Sequence, residues 1–239
     1  MDFSIITENI GLYFQGLWLT VQLVACSLTL GLGMAVFLAL MANSRNGLLS
    51  GPVFCFSYFF RGTPLLVQMF ILYYGAGQFE FVRNSVFWPI LREAYWCALI
   101  AFTLNTAAYT TEILRGAIKA TPLGEIEAAK ACGMSWFLMT RRIILPSAFR
   151  RALPAYGNEV IFMLHGSSLA SVITLVDITG AARIINSRYY SPYEAFLTAG
   201  LFYMVLTFLI VFVFKQVERR WFAHLRPREV ASSEAVPAK

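Results

Sequence analysis

Five apolar runs alternate with short polar segments along the chain. A helix needs about 20 apolar residues to cross the hydrocarbon core of a bilayer, and each run approaches or exceeds this length. The pattern predicts an all-α polytopic membrane protein with about five transmembrane helices. The expected spans are residues 16–41, 53–75, 94–118, 153–175 and 195–214.

The second run is interrupted by the tetrapeptide Arg61-Gly62-Thr63-Pro64. An arginine inside a span costs about 3 kcal/mol, unless its long side chain reaches the membrane surface. Pro64 suits the first position of a new helix, and Thr63 suits the N-cap before it. We therefore expect a bent or broken span, with a structural or gating role for Arg61, Thr63 and Pro64.

The third run places Asn105, Tyr109 and Glu112 on one face of a helix. Polar side chains in a span normally face protein or a cavity rather than lipid. We expect Glu112 to pair with Arg61 or Arg115, which is again a structural or gating role.

The fourth run contains Glu159, our candidate for contact with a substrate. A carboxylate at membrane depth must be protonated, paired or facing water. A cationic substrate would supply the missing positive charge, and a guanidinium can bind a carboxylate through two hydrogen bonds. Asn158 and Ser167 are expected to add polar contacts, whereas His165 is expected to bond between helices. The alternative for Glu159 is a structural ion pair or a hydrogen-bonded core residue.

Residues 121–146, between the third and fourth runs, form the most charged interior segment. Thr121 and Pro122 fit the N-cap and first position of a helix, and Glu125 falls in its first turn. Gly133 fits the left-handed residue that ends a helix. An isolated helix this short is only marginally stable, so another part of the assembly must hold it in place.

Composition supports the membrane assignment, since 58% of the 239 residues are hydrophobic, 13% are charged and the mean hydropathy is +0.64. Soluble domains average about 25% charged residues. The net charge of +6 is explained by basic residues flanking the spans rather than by nucleic-acid binding. Most of these residues fall on the side of residues 121–146, which the positive-inside rule makes cytoplasmic. The N-terminus is then outside and the C-terminus inside.

The remaining segments carry few signals of their own. The N-terminus lacks the basic region of a cleaved signal peptide, and the four scattered cysteines favour neither disulfides nor zinc. Residues 177–194 are expected to form an external loop, and residues 226–239 a polar, disordered C-terminal tail.

The sequence carries no motif for catalysis. The phosphate-binding pattern G-x-x-x-x-G-K-[ST] and the metalloprotease pattern H-E-x-x-H are both absent, and the two histidines lack ligand-like spacing. We expect no enzyme activity, no metal site and no cofactor in this chain. A pump built on it must take its energy from a partner.

Segment 121–146 resembles the cytoplasmic signature loop of ABC-importer permeases, whose pattern is E-A-A, three residues, G, nine residues, I-x-L-P. All fixed positions are filled, by Glu127, Ala128, Ala129, Gly133, Ile143, Leu145 and Pro146. Residues 60–170 are similar to the polar amino-acid permease family, most of all to the M-type permeases of histidine and lysine/arginine/ornithine importers. Permeases for the opines octopine and nopaline are close alternatives.

The resemblance implies a type I importer (MetI-like) fold, with residues 1–225 as the transmembrane domain in a bacterial inner membrane. It also implies four kinds of partner: a second, Q-type permease, two ABC ATPase subunits that bind ATP and Mg²⁺, a periplasmic amino-acid-binding protein and the lipid bilayer. By this analogy the seven signature residues couple to the ATPase, and Glu159 faces a cationic amino acid such as histidine, arginine, lysine or ornithine.

A proton-driven secondary transporter is the alternative from another class, with Glu159 and Glu112 as the relay. The sequence shows no internal repeat, and five spans are few for a self-contained carrier.

Overall fold

The computed structural model describes residues 4–221, and all regular structure in that part of the chain is helical. Predicted tail residues 226–239 and the end of the predicted domain at 225 lie outside the described residues. The α-helices are α1 (Ser4–Glu8), α2 (Ile10–Ala42), α3 (Gly47–Gly62), α4 (Leu65–Phe70), α5 (Glu80–Arg83), α6 (Trp88–Leu91), α7 (Ala94–Lys119), α8 (Leu123–Ala131), α9 (Trp136–Met139), α10 (Leu145–Gly166), α11 (Ile178–Tyr189) and α12 (Pro192–Trp221).

Three helices, α2, α7 and α12, are long and apolar enough to cross a membrane. The count rises to five if each of two bent pairs is one span. The first pair joins α3 to the segment Leu65–Gln78 at an angle of 101°, and the second joins Trp136–Ile173 to α11 at 45°. The predicted fold of about five spans and the break in the second span are confirmed, whereas the bend in the fourth was not predicted.

The centre of the bundle is the packing of α2 along α7. Small residues allow this approach, because a Cβ on Gly31 would overlap the side chain of Thr106. At the other end of α2, a Cβ on Gly16 would lie 2.6 Å from the backbone of Asp177. Bulkier residues at these two glycines would therefore separate α2 from its neighbours.

The break between α3 and α4 differs in detail from the prediction. Pro64 is extended (φ −63°, ψ 134°) and stands at the N-cap, so α4 begins one residue later than expected. The Thr63 hydroxyl does not cap α4; it donates to the Phe59 carbonyl at 2.8 Å and accepts from the Gln68 amide at 2.8 Å. Thr63 thus closes the end of α3.

The segment predicted as an external loop, residues 177–194, is largely helical, and that prediction is wrong. Asp177 caps α11 by accepting the Gly180 N–H at 2.8 Å. The helix buries one apolar face in the core. The apolar residues of that face are Ile178, Ala181, Ala182 and Ile185.

Candidate functional site

A cavity of about 500 Å³ lies between α4, α7 and α10. Four polar side chains lie in the wall of the cavity, which is otherwise apolar. The lining residues are Leu65, Asn105, Tyr109, Ile113, Ala155, Asn158, Glu159, Phe162 and Met163. Pockets of 300–1,000 Å³ with few polar groups are typical of small-molecule sites.

Glu159 is the acidic group of this cavity and is only 6% exposed. Its position follows from the packing of α10 against α12, where Gly157 lets the ring of Phe214 approach. A Cβ on Gly157 would lie 2.9 Å from that ring. Burial makes a bare carboxylate costly here, so the group must be protonated, paired with a cation or solvated within the cavity.

Asn105 lies where the cavity meets the break between α3 and α4. Its amide nitrogen donates to the Phe60 carbonyl at 3.2 Å and to the Gln68 side-chain oxygen at 3.3 Å. Gln68 in turn donates to the carbonyls of Phe60 at 2.9 Å and Thr63 at 3.0 Å. Two amide side chains therefore satisfy the carbonyls that the end of α3 leaves without helical partners.

The structure brings Asn158 beside Glu159 in the cavity wall but does not bring Ser167 there. Ser167 is fully buried, and its hydroxyl donates to the Leu164 carbonyl at 2.6 Å. The α-helix ends at Gly166, and a 3₁₀ turn directs Ser167 into the core. His165 contacts Thr207 of α12 at 3.2 Å, as a residue bonding between helices does.

Glu112 pairs with both arginines considered for it. Arg115 donates to Glu112 Oε2 from Nε at 3.0 Å and from Nη2 at 2.6 Å. Arg61 Nη1 lies 3.9 Å from the same oxygen, and its guanidinium stacks 5.3 Å from the centre of the Tyr109 ring. The predicted pairing of Glu112 is confirmed, and Tyr109 connects this cluster to the cavity.

The signature loop forms α8, which begins at Leu123. The predicted N-cap at Thr121 is wrong: Pro122 occupies the N-cap position in an extended conformation. The predicted stop at Gly133 is confirmed, since its φ is +70°. The Gly133 N–H bonds to Lys130 O at 2.9 Å and the Met134 N–H to Ala129 O at 3.1 Å, the pair of bonds that closes a helix through a left-handed residue.

Most of the loop faces outward. Glu127, Ala128 and Gly133 are exposed, whereas Ala129 packs inward. Ile143 and Leu145 are half-buried in the helical segment leading into α10, beside the exposed Pro146. Three large apolar residues of the loop are also exposed to solvent, with exposed fractions of 74% for Leu123, 64% for Trp136 and 69% for Phe137. Their exposure was not predicted, although apolar residues in an otherwise charged loop are a visible signal.

Arg151 is a second residue whose role the sequence did not show. Its Nε donates to the Ala117 carbonyl at 3.2 Å, and its Nη2 donates to the Thr121 hydroxyl at 2.8 Å. Its Nη1 donates to the Ser147 hydroxyl at 2.8 Å. Arg151 therefore fastens α10 to the end of α7 and to the residue that leads into α8.

Comparison with known proteins decides the family. Residues 27–223 match the model of the binding-protein-dependent transport system inner membrane component. The chain belongs to this family.

Similar permeases support this family assignment, and the similarity extends over most of the chain. The octopine transport system permease protein OccM of Rhizobium meliloti is 49% identical over 85% of this chain and 83% of its own length. The histidine/lysine/arginine/ornithine transport system permease protein HisM of Escherichia coli K12 is 44% identical over 91% and 92%. The nopaline transport system permease protein NocM of Agrobacterium fabrum is 45% identical over 95% of both chains.

Solved structures show the same fold. An amino acid ABC transporter crystallised with histidines has a chain 34% identical to the permease, with a TM-score of 0.82 over 92% of this chain and 99% of that one. The MetNI methionine transporter, at 19% identity and a TM-score of 0.70 over 89% and 97%, shares the fold. The MetI-like fold predicted from the signature loop is confirmed.

Proposed function

We propose that this permease carries cationic amino acids through the Glu159 cavity as one subunit of an ABC importer. The observation that carries the proposal is a buried carboxyl group lining a cavity of about 500 Å³. A guanidinium, ammonium or imidazolium group placed against Glu159 replaces the hydration that the carboxylate loses on burial.

Other groups in the wall suit the rest of an amino acid. Asn158 and Tyr109 offer hydrogen bonds, and Phe162 and Met163 contact the aliphatic part of a side chain. Asn105 is committed to the break between α3 and α4, so we give it a positioning role. The names of the relatives agree with such substrates, because they transport histidine, lysine, arginine, ornithine or opines.

The energy is proposed to come from two ABC ATPase subunits, which hold ATP and Mg²⁺ and dock on α8. The exposed side chains of Leu123, Trp136 and Phe137 suit such docking, because aromatic residues are enriched at protein interfaces. A second, Q-type permease and a periplasmic amino-acid-binding protein complete the assembly. The N-terminus is then periplasmic and the C-terminus cytoplasmic, in agreement with the basic residues beside α8.

Glu159→Gln tests the cavity. We expect kcat/KM for arginine and lysine uptake to fall about tenfold to hundredfold, because a hydrogen bond to a charged group contributes about 1.5–3 kcal/mol. Uptake of a neutral amino acid, where it is measurable, should change little. Glu80→Gln is the matched control, since Glu80 is exposed on the short helix α5.

Equal losses for cationic and neutral substrates would make Glu159 a structural residue. Uptake that needs no ATPase and stops when the proton gradient is dissipated would instead favour the secondary transporter.

An opine is the second candidate substrate, because two of the relatives are opine permeases at 49% and 45% identity. Octopine combines a guanidinium with an additional carboxylate, so it could use the same Glu159 contact. Competition decides between them: excess octopine should leave uptake of labelled arginine unchanged if the site is restricted to amino acids.

A further inference from the structure

Two cavities adjoin at the end of the bundle where α10 begins and α12 ends. The larger, about 640 Å³, is lined by Pro146, Phe149, Arg150, Arg220 and Trp221. The smaller, about 170 Å³, is lined by Leu32, Thr110, Ile113, Leu114, Phe149, Ala152, Leu153, Tyr156 and Trp221. Phe149 and Trp221 belong to both walls, so the two cavities are neighbours. We call the larger cavity, with its two arginines, the basic opening and the smaller one the apolar cleft. Neither wall includes Glu159.

The opening carries two positive charges. Among residues 4–221, neither Arg150 nor Arg220 forms an ion pair or a hydrogen bond through its side chain, and no acidic residue lines the cavity. Two guanidinium groups on one cavity wall repel each other unless an anion lies between them. The opening is therefore complementary to a phosphate group.

The position of Arg220 matches the headgroup layer of a bilayer. The continuous apolar part of α12 ends at Phe214, and Arg220 follows about 9 Å further along the helix. The polar layer on each side of the hydrocarbon core is about 5–8 Å thick, a depth within reach of a long arginine side chain. Trp221 next to it is a residue type enriched at membrane interfaces.

The apolar cleft leads from this opening towards the bilayer centre. Along α10 its wall proceeds from Phe149 to Leu153 and Tyr156, and along α7 from Leu114 to Thr110. In both helices this direction leads away from the end that carries α8. A hydrocarbon chain entering beside Phe149 would meet side chains that are almost all apolar.

We propose that this is a site for a phospholipid with a net negative headgroup, whose phosphate lies between Arg150 and Arg220 and one of whose acyl chains enters the cleft. Basic pockets between transmembrane helices commonly hold such headgroups. Free phosphate would use the same two arginines but not the cleft, and residues 222–239 are a further possible occupant that the test separates.

Quenching of Trp221 fluorescence tests the proposal on the full-length chain in vesicles. Phosphatidylglycerol and phosphatidylcholine, each with brominated acyl chains, are compared at equal mole fractions, and Trp221→Phe identifies the part of the signal that comes from Trp221. We expect phosphatidylglycerol to bind about fivefold to tenfold more tightly at this position. Arg150→Gln with Arg220→Gln should remove that preference, whereas Arg83→Gln with Arg92→Gln, an equal charge change outside the cavity, should keep it.

Two further experiments distinguish a bound lipid from the other occupants. Leu153→Phe narrows the cleft without changing charge and should weaken quenching by both lipids, with the unfolding temperature reporting that the chain is still folded. Excess inorganic phosphate should leave the preference unchanged. The proposal is overturned if the intact chain shows no preference, if the double arginine variant keeps it, if phosphate abolishes it, or if it appears only after residues 222–239 are removed.

Discussion

Arg151 uses its whole guanidinium group to join three parts of the chain. Its hydrogen bonds reach the last turns of α7, Thr121 in the short link to α8, and the first turns of α10. Ser147, one of its acceptors, also donates to Glu125 of α8 at 3.3 Å. Helix α8 is therefore linked to α10 through directional bonds as well as through the connecting backbone.

Arg151→Lys should lower stability, because a lysine keeps the charge but cannot reproduce three bonds from a planar group. With about 1 kcal/mol for each of two lost bonds, we expect the unfolding midpoint in detergent to fall by about 4–8 °C. Arg150→Lys is the matched control, since Arg150 is the exposed neighbour. Equal midpoints for the two variants would show that the bonds of Arg151 carry no net stability.

At the residue scale, the sequence predicted the acidic group of the cavity but not all of its neighbours. Glu159 and Asn158 share a helix, so their adjacency followed from position alone. Ser167 was assigned to the same site because the fourth run was treated as one continuous helix. The α-helix in fact ends at Gly166, and the direction of a side chain after a helix end depends on tertiary packing that no periodicity contains.

At the scale of elements, α8 is a short helix whose end depends on one backbone conformation. Gly133 has a φ of +70°, and a Cβ there would meet nothing within 4 Å. Space is therefore available for a side chain, and only the left-handed backbone opposes one. Gly124, inside the same helix, has the same free space without the positive φ.

Alanine substitutions at these two glycines can be compared directly, because only one of them has a positive φ. Gly133→Ala should cost about 1–2 kcal/mol locally and so speed tryptic cleavage after Lys130 about fivefold to thirtyfold. Gly124→Ala should leave cleavage unchanged or slow it, because alanine is the better helix former. Equal cleavage rates for the two variants would show that the turn at Gly133 does not limit opening of α8.

The helices were predictable where a long apolar run marked them, and less predictable elsewhere. The broken second span followed from Arg61 and Pro64, and the 101° bend confirms it. The segment of α11 carries Arg183 and Arg188, and charged residues at this density favour a loop over a buried helix. Its burial against α2 and α12 depends on the tertiary packing of the bundle, which the sequence pattern does not show.

At the scale of the whole molecule, the helices divide into a packed centre and a lipid-facing edge. About 67% of the apolar window of α7 is buried inside the chain, compared with 11% for α12. Exposed rings such as Phe208 and Phe212 cover the outer face of α12. The loop that carries α8 projects from one end of this bundle, where a partner can reach it without displacing a span.

Co-purification from gently solubilised membranes tests that arrangement. We expect the intact chain to bring down an ATPase and a second permease, and Glu127→Lys to lose the ATPase while retaining the permease. Reversing the charge of this exposed residue opposes any complementary group on the partner. Glu80→Lys, an equal change on another exposed helix, should retain both partners. Loss of neither partner in Glu127→Lys would remove Glu127 from the docking contact.

Arg151 and Glu159 lie on one helix, and their spacing has a mechanical consequence. They are eight residues apart on α10, which corresponds to about 12 Å along the helix axis. A tilt of α10 by about 10° around Arg151 would carry the Glu159 carboxyl group about 2 Å sideways, far beyond the few tenths of an ångström over which a hydrogen bond keeps its strength. If Glu159 holds the substrate cation as proposed, a modest rotation at the α8 end would be enough to break that contact, without a separate gate at the binding site.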